Sequence, residues 1–143
     1  MPISASVVII FAFLLALLIY SWRKNRENTD VKLQSIKDKL IKIEPRARDV
    51  NFYTDSNEAY TLGKKEIYMC IKDPRGEYYS DNTLMYIALH ELAHVLIPED
   101  TSKHPPKFDV LFNQLKDRAA YMNLYDPFIP FPNEYCGKKL SYY

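Results

Sequence analysis

The sequence is poor in several residues whose abundance would mark a particular class of protein. Its 2 cysteines show no C-x-x-C spacing, which argues against a disulfide-rich scaffold and against a thiolate zinc knuckle. Only 3 glycines accompany 9 prolines, which excludes a collagen-like or low-complexity chain. The 19 basic and 18 acidic residues leave a formal charge of +1, so no overall basic field indicates nucleic acid as a partner. The 143 residues suit one small globular domain.

Charge is also missing from the N-terminus, where residues 1–22 carry no charged side chain. The almost continuously apolar run from Ile3 to Tyr20 would form about 27 Å of α-helix, close to the roughly 30 Å thickness of bilayer hydrocarbon. The basic residues follow this run instead of preceding it, which favours an uncleaved anchor over a cleaved signal peptide. Residues 1–22 are therefore predicted to be a transmembrane anchor, with a buried core helix as the alternative.

The residues that follow the apolar run predict the orientation of this anchor. Tyr20 and Trp22 suit the aromatic belt of a membrane interface, and Arg23, Lys24 and Arg26 come directly after them. Because basic residues tend to stay on the cytosolic side, residues 23–143 are predicted to face the cytosol and the N-terminus to lie outside.

The predicted compartment bears on the two cysteines. Cytosolic proteins are kept reduced, so Cys70 and Cys136 are expected to be thiols. The sequence nevertheless leaves a single 70–136 bridge open.

Periodicity outlines further elements after the anchor. Apolar residues recur at helical spacing from Leu33 to Ile43, which predicts an amphipathic helix that packs on the domain or, alternatively, on a membrane or partner. Strands are predicted at Tyr60–Leu62 and Glu66–Lys72. A helix is predicted over Asn82–Leu96, ended by the proline that follows, and another after the prolines at 105 and 106. The fold class is therefore α+β.

All three histidines of the chain, His90, His94 and His104, fall within fifteen positions. The first two belong to the text HELAH, an H-E-x-x-H pattern on the predicted helix. Residues four apart lie on one face of a helix, so both rings can bind one zinc ion. Glu91 projects in another direction and suits a general base that takes a proton from the attacking water. The pattern indicates a catalytic Zn²⁺ site.

A catalytic zinc normally has three protein ligands and one open position. His104 is the natural third ligand, because the loop after the helix would let the chain fold back under it, giving H-E-x-x-H-x9-H. This spacing differs from the metzincin pattern, which has five intervening residues and a glycine. Glu99, Asp100 and Asp109 remain acidic alternatives for the third position.

Chance is the competing explanation for the five-residue pattern. Ordinary residue frequencies yield H-E-x-x-H in roughly one of 300 chains of this length, so a metal-free histidine cluster is the structural alternative. The pattern falls on an independently predicted amphipathic helix, and the remaining histidine lies within ten positions of it. These two coincidences favour the metal site.

Two further features concern the substrate. An extended peptide could be held by an exposed sheet edge, for which Glu66–Lys72 is the candidate, although an interior strand fits its pattern equally well. A tyrosine hydroxyl could stabilise the oxyanion, and the sequence does not choose among the candidates. They are Tyr78, Tyr79, Tyr121, Tyr125 and Tyr135.

The residues around the histidines resemble a known family. The text LHELAHVL, followed by HPPKFDVLFNQL, resembles the WLM and SprT-like zinc metalloproteases, in which a HEL-small-H helix is followed by H-x-x-x-F. The matching residues are His90, Glu91, His94, His104 and Phe108. Between residues 64 and 140 the chain is similar to small WLM-like metallopeptidases of large DNA viruses.

The resemblance implies a small zincin-like α+β metallopeptidase domain, with Zn²⁺ on the three histidines and Glu91 as the catalytic base. We expect three parts: the anchor at 1–22, a juxtamembrane basic segment with an amphipathic helix at 23–45, and the metallopeptidase domain at 46–143. Cellular relatives of this type cleave proteins that are crosslinked to DNA. The near-neutral charge does not indicate that substrate here.

The leading hypothesis is therefore a membrane-anchored zinc metallopeptidase that acts on a protein or peptide substrate. One alternative is a single-pass structural or interaction protein, as in a virion, whose zinc only stabilises the domain. A second alternative is a DNA–protein crosslink protease held near a membrane.

Overall fold

The computed structural model describes residues 5–25, 30–99 and 104–140. These ranges contain four α-helices, α1 Ala5–Asn25, α2 Val31–Ile43, α3 Asp81–Leu96 and α4 Pro106–Tyr121, and a 3-10 helix at Pro45–Asp49. They also contain five strands, β1 Asn51–Thr54, β2 Tyr60–Leu62, β3 Glu66–Met69, β4 Glu134–Tyr135 and β5 Lys138–Lys139. The mixed α+β fold class predicted from the sequence is confirmed.

Helix α1 is long and apolar enough to cross a membrane. Its segment Ala5–Trp22 has a mean hydropathy of 2.5, and none of its side chains is buried against the rest of the described chain. A core helix of a soluble protein would be mostly buried, so the burial favours the anchor over that alternative. Residues 1–4 and Arg26, on which the sequence-based prediction of the anchor also drew, lie outside the described residues.

Helix α2 forms where the apolar periodicity predicted it. The Asp30 side chain caps its first turn by accepting hydrogen bonds from the backbone N–H groups of Lys32 and Leu33. Its apolar face is buried in the core of the described domain, which confirms that this face packs on the domain. The buried residues are Leu33, Ile36, Leu40 and Ile43.

The three-stranded sheet has the order β1-β3-β2, with β1 parallel and β2 antiparallel to β3. Because side chains alternate across a sheet, the aligned residues Phe52, Ile67 and Thr61 share the face toward the helices. The central strand β3 lies between two partners, so the interior-strand alternative is confirmed and the exposed-edge alternative is wrong. The edge beside α3 belongs to β2, because β2 is an outer strand that contacts this helix. Strand β3 also ends at Met69, earlier than predicted.

Helices α3 and α4 pack antiparallel through aromatic side chains. Tyr86 on α3 contacts Phe112 on α4 edge-on at 5.2 Å between ring centroids. Nearer the C-terminus of α3, His90 contacts Phe108 at 4.9 Å. Ten residues of α3 are buried, because the helix has β2 and β3 on one side and α4 on the other. The helix that carries the H-E-x-x-H pattern is thus enclosed by the domain.

The two cysteines are joined in the structure, which corrects the expectation of free thiols. Cys70 follows β3 and forms a disulfide with Cys136, their Cα atoms lying 6.2 Å apart. The β4–β5 hairpin brings them together, because the buried Tyr135 donates a hydrogen bond from its hydroxyl to the Cys70 carbonyl at 2.6 Å. The expectation of thiols followed from the predicted compartment alone, and the local sequence carries no information on this long-range contact.

Glu44 is a buried carboxylate that joins the end of α2 to α4. It accepts hydrogen bonds from Arg46 at 2.9 Å and from Arg118 at 3.1 Å, and its side chain is 7% exposed. The Arg46 guanidinium, assisted by Arg118, lowers the pKa of this carboxyl from 4.5 to about 2. A lowered pKa in the folded state stabilises the protein above the unfolded pKa, and this stabilisation is lost as the pH falls toward 2.

We predict that Glu44→Gln reduces the free energy of unfolding at pH 7 by up to about 3 kcal/mol. The variant should also lose less stability than the wild type between pH 4.5 and 2, because the titrating group is gone. Urea unfolding of the full chain in detergent, followed by far-UV circular dichroism, measures both effects. Glu58→Gln removes an exposed ion pair with Lys138 and should change little. Equal acid sensitivity of the wild type and Glu44→Gln would contradict the assignment.

Candidate metal centre

Two helices bring the three histidines of the chain together. His90 and His94 lie one turn apart on α3, with their Nε2 atoms 3.2 Å from each other. His104 comes from the segment that immediately precedes α4. One ring nitrogen from each histidine lies within 4.8 Å of the other two. The predicted cluster is confirmed as a group that could hold a metal ion.

The ring of Phe108 packs against all three histidine rings of this cluster. This ring is 1% exposed and contacts His90, His94 and His104 with centroid distances of 4.9, 4.5 and 4.2 Å. Phe108 lies four residues after His104, and the two rings stack at an interplanar angle of 8°. The first turn of α4 therefore positions the third histidine against the two on α3.

The spacing of the His90 and His94 donors fits a tetrahedral ion such as zinc, and the third donor, from His104, lies within 4.8 Å of both. Two nitrogen ligands at about 2.05 Å from zinc and at tetrahedral angles lie about 3.3 Å apart, close to the 3.2 Å between His90 and His94. Metal binding requires neutral imidazoles. Burial, assisted by neighbouring positive charge, lowers the pKa of His90 to about 3 and that of His94 to about 4. Both rings are thus neutral and available as ligands at neutral pH.

Two of the three acidic alternatives for the third ligand, Glu99 and Asp109, do not join this group. Glu99 forms an ion pair with Lys107 at 2.9 Å, and Asp109 is exposed on α4. Asp100 lies outside the described residues. Among the residues that the structure describes, the metal-binding group consists of the three histidines. Three protein donors leave a fourth position for water or substrate, as in catalytic zinc sites.

The histidines also show where a ligand can reach the centre. His90 is 3% exposed, His94 is partly exposed and His104 is exposed. The centre is therefore closed on the side of the core and open on the side of His104.

Glu91 follows His90 on α3, is buried, and is held by a side chain from the edge strand β2. The Thr61 hydroxyl lies 2.9 Å from the Glu91 carboxylate Oε2 and 3.1 Å from the Glu91 carbonyl oxygen, and can donate to either. Burial raises the pKa of the Glu91 carboxyl to about 7, while the hydrogen bond from Thr61 acts in the opposite direction. The orientation of this carboxylate is thus fixed by the sheet and not by the metal ligands.

Lys64, in the turn between β2 and β3, secures the end of α3. Its Nζ donates hydrogen bonds to the carbonyl oxygen of His94 at 2.7 Å and to that of Glu99 at 2.9 Å. A cation at a helix C-terminus is favourable because the last carbonyl groups carry partial negative charge. Lys64 therefore joins the metal-binding turn of α3 to the segment that leads toward His104.

The tyrosines predicted as oxyanion donors make other contacts. The Tyr135 hydroxyl donates to Cys70, the Tyr79 hydroxyl accepts from the Cys136 N–H, and the Tyr78 hydroxyl contacts Asp30. Tyr121 is 89% exposed at the end of α4. The remaining candidate packs near the first half of α3, where Tyr125 contacts the ring of Tyr86. None of these described contacts involves the histidine cluster.

Thr61 and Lys64 were missed by sequence reasoning. A threonine in a short strand and a lysine in a turn are common on any protein surface. Only the packing of the β2–β3 hairpin against α3 gives them their contacts, so no local signal could have identified them.

Comparison with known proteins finds viral relatives that are themselves uncharacterized. The chain is 42% identical over 82 residues to uncharacterized protein 136R of Invertebrate iridescent virus 6. The matched region covers 55% of this chain and 45% of that protein. It is 40% identical over 101 residues to uncharacterized protein 042R of Invertebrate iridescent virus 3. The matched region covers 66% of this chain and 62% of that protein.

A third relative is uncharacterized protein R325 of Acanthamoeba polyphaga mimivirus, 31% identical over 120 residues, covering 78% of this chain and 59% of that protein. The chain thus spans less than two thirds of the length of each of these relatives. No family model matches the chain, and no solved structure matches it.

We predict that the full chain binds one divalent metal ion and that His104→Ala lowers this affinity at least 100-fold, since a ligand is lost. Asp109→Asn, on the same helix turn as Phe108, is the matched control and should bind normally. Competition with a chromophoric chelator measures the affinity, and elemental analysis measures the stoichiometry. Unchanged binding by His104→Ala together with lost binding by Asp109→Asn would move the third ligand to the acidic residue.

Proposed function

We propose that the chain is a membrane-anchored zinc metallopeptidase of the WLM-like, zincin-like type. The observation that carries the proposal is the arrangement of three histidine donors beside a buried, oriented carboxylate that is not one of them. A purely structural zinc site normally closes all four positions with protein ligands and needs no base. Zn²⁺ on His90, His94 and His104, with Glu91 nearby, fits a hydrolytic site better.

Peptide-bond hydrolysis assigns a defined role to Glu91. When bound, zinc supplies Lewis acidity and lowers the pKa of a coordinated water. The Glu91 carboxylate accepts a proton from the attacking water as the new C–O bond forms at the peptide carbonyl carbon. The same carboxyl then donates that proton to the leaving nitrogen as the C–N bond breaks. Thr61 keeps the carboxylate in the orientation that both transfers need.

The neighbouring strand β2 supports an extended peptide as the substrate. Its inner edge is paired with β3, and its outer edge has no strand partner among the described residues. An extended peptide can add to such an edge through main-chain hydrogen bonds. Because Thr61 on this strand contacts Glu91, a peptide bound there would lie next to the base.

The membrane location rests on the apolar segment Ala5–Trp22 of α1 and on the basic residues that follow this segment. Arg23, Lys24 and Arg26 favour a cytosolic catalytic domain, whereas the Cys70–Cys136 bridge is favoured by an oxidising compartment. A cytosolic domain would hold both cysteines as thiols, so their redox state in infected cells reports the orientation. The viral relatives support a viral protein that resides in a host or virion membrane.

We predict that Glu91→Gln lowers peptide hydrolysis at least 100-fold, because general acid–base catalysis contributes about 10²–10⁴-fold. Zinc binding should be retained, since Glu91 is not a ligand. The assay is cleavage of an unfolded protein such as casein by the zinc-loaded full chain in detergent, with Glu77→Gln, at an exposed carboxylate, as the matched control. A Glu91→Gln protein that binds zinc and cleaves as fast as the wild type would refute the role of base. Stimulation of cleavage by DNA would instead support the crosslink-protease alternative.

Thr61 and Lys64, both in the β2–β3 hairpin, lead to two predictions that can be tested separately. Thr61→Val should lower kcat about tenfold with little change in KM or zinc affinity, because it removes only the hydrogen bond to the Glu91 carboxylate. Thr61→Ser keeps the hydroxyl and should restore activity. Lys64→Met should lower zinc affinity about tenfold, because it releases the end of α3. Lys65→Met, in the same turn, is the control. If both Thr61→Val and Lys64→Met lowered stability without affecting kcat or zinc affinity, the two residues would be merely structural.

A further inference from the structure

An exposed aromatic side chain is held rigidly at the N-terminal end of α3. Phe128 is 93% exposed and the adjacent Ile129 is 45% exposed. The Phe128 N–H donates to the Asp126 carboxylate at 2.8 Å, and Asp126 is fixed to Asn82 on α3 by two hydrogen bonds of 2.7 and 3.0 Å. A large apolar ring fixed in water is unfavourable. This loop is therefore built to present Phe128 outward.

The membrane anchor enters the domain at the same place. Helix α1 ends at Asn25 and the cap of α2 is Asp30, so the connection spans at most about 18 Å whatever its conformation. Lys32, in the first turn of α2, pairs with Asp81, the residue next to Asn82. The first turn of α3 is thus bound both to the start of α2 and to the Phe128 loop.

Other exposed groups at this end extend the apolar surface. Val31, the first residue of α2, is 84% exposed, and Tyr78 is 48% exposed with its hydroxyl on Asp30. Asp81, Phe128 and Ile129 line one surface cavity, so the Phe128 loop adjoins the residue that pairs with Lys32 of α2. We call Val31, Tyr78, Phe128 and Ile129 the docking patch.

We propose that the docking patch lies on the lipid bilayer that α1 spans. The proposal rests on the membrane anchor of the proposed function. The short connection keeps the patch within reach of the lipid headgroups, at an effective concentration on the order of millimolar. Weak partitioning of one phenylalanine and its apolar neighbours then suffices for docking, as for the apolar face of an interfacial helix. A tyrosine at the edge of the patch suits the headgroup region.

Docking would direct the metal centre away from the bilayer. His94 lies 13 residues beyond Asp81 on α3, a distance of about 20 Å along the helix. With the first turn of α3 at the membrane, the histidines lie at the end of the domain that points into the aqueous phase. The substrates would be extended segments of membrane or peripheral proteins outside the bilayer, and not transmembrane segments.

The experiment uses the full chain reconstituted in phosphatidylcholine vesicles. In a Trp22→Phe background, Phe128→Trp places a single tryptophan in the docking patch, and Ile129→Trp provides a second reporter. Val110→Trp is the matched control, because Val110 is 58% exposed on α4 near the metal centre. We expect lipids brominated on their acyl chains to quench the indole fluorescence of Phe128→Trp about twofold, with no quenching of Val110→Trp.

Each outcome separates the docking from the anchoring. Vesicle flotation is measured first, and a chain that does not float refutes the anchor and the docking together. A chain that floats, with both patch reporters quenched no more than the Val110→Trp control, refutes the docking alone. If intermolecular crosslinking at residue 128 accompanies that result, a second copy of the chain covers the patch instead. The peptidase proposal is independent, because its test in detergent does not need a bilayer.

Discussion

The candidate site depends on the packing of Phe108 against the three histidine rings. This contact holds α3 and α4 together where the metal ligands lie, and the Phe108 ring at its centre is buried from solvent. The stack of His104 on Phe108 fixes the direction of the ligand that does not belong to α3. Without the aromatic contact, His104 would belong to a loop with no fixed relation to His90 and His94.

The opposite side of α3 is held by the β2–β3 hairpin. One hairpin supplies two different contacts, from Thr61 to the side chain of Glu91 and from Lys64 to the carbonyl oxygen of His94. Glu91 and the turn that carries His94 are therefore positioned by a different part of the chain than His104. The hairpin is itself held in place, because its strand β3 pairs with β1 as well as with β2.

The two ends of α3 have different surroundings. Its first turn contacts α2 and the Phe128 loop, and the Cys70–Cys136 bridge lies at the same end through the contacts of Tyr79. Its last two turns carry His90 and His94, and the neighbouring His104, which precedes α4, is exposed to solvent. This polarity separates the end of the domain next to α2 and the Phe128 loop from the end that carries the histidine cluster. The helix length alone sets the distance between them.

Much of the secondary structure could be predicted from the sequence, because helix formation depends on local periodicity and capping. The buried face of α2 and the course of α3 agree with the spacing of their apolar residues. Strand β1 was not predicted, since it is only four residues long and its pairing partner lies 15 residues away. The sequence also could not choose between an edge and an interior position for β3, because strand order is set by pairing between distant segments.

By itself, the sequence determined that His90 and His94 share one face of a helix and that Glu91 does not, because helical geometry is local. It left the third ligand open among His104 and nearby acidic residues. In the tertiary structure, His104 joins the other two histidines through its stack on Phe108, whereas Glu99 pairs with Lys107. The tertiary structure alone decided the contacts of Thr61 and Lys64 and the cysteine bridge, since these join residues 30 to 66 positions apart that meet only when the domain packs.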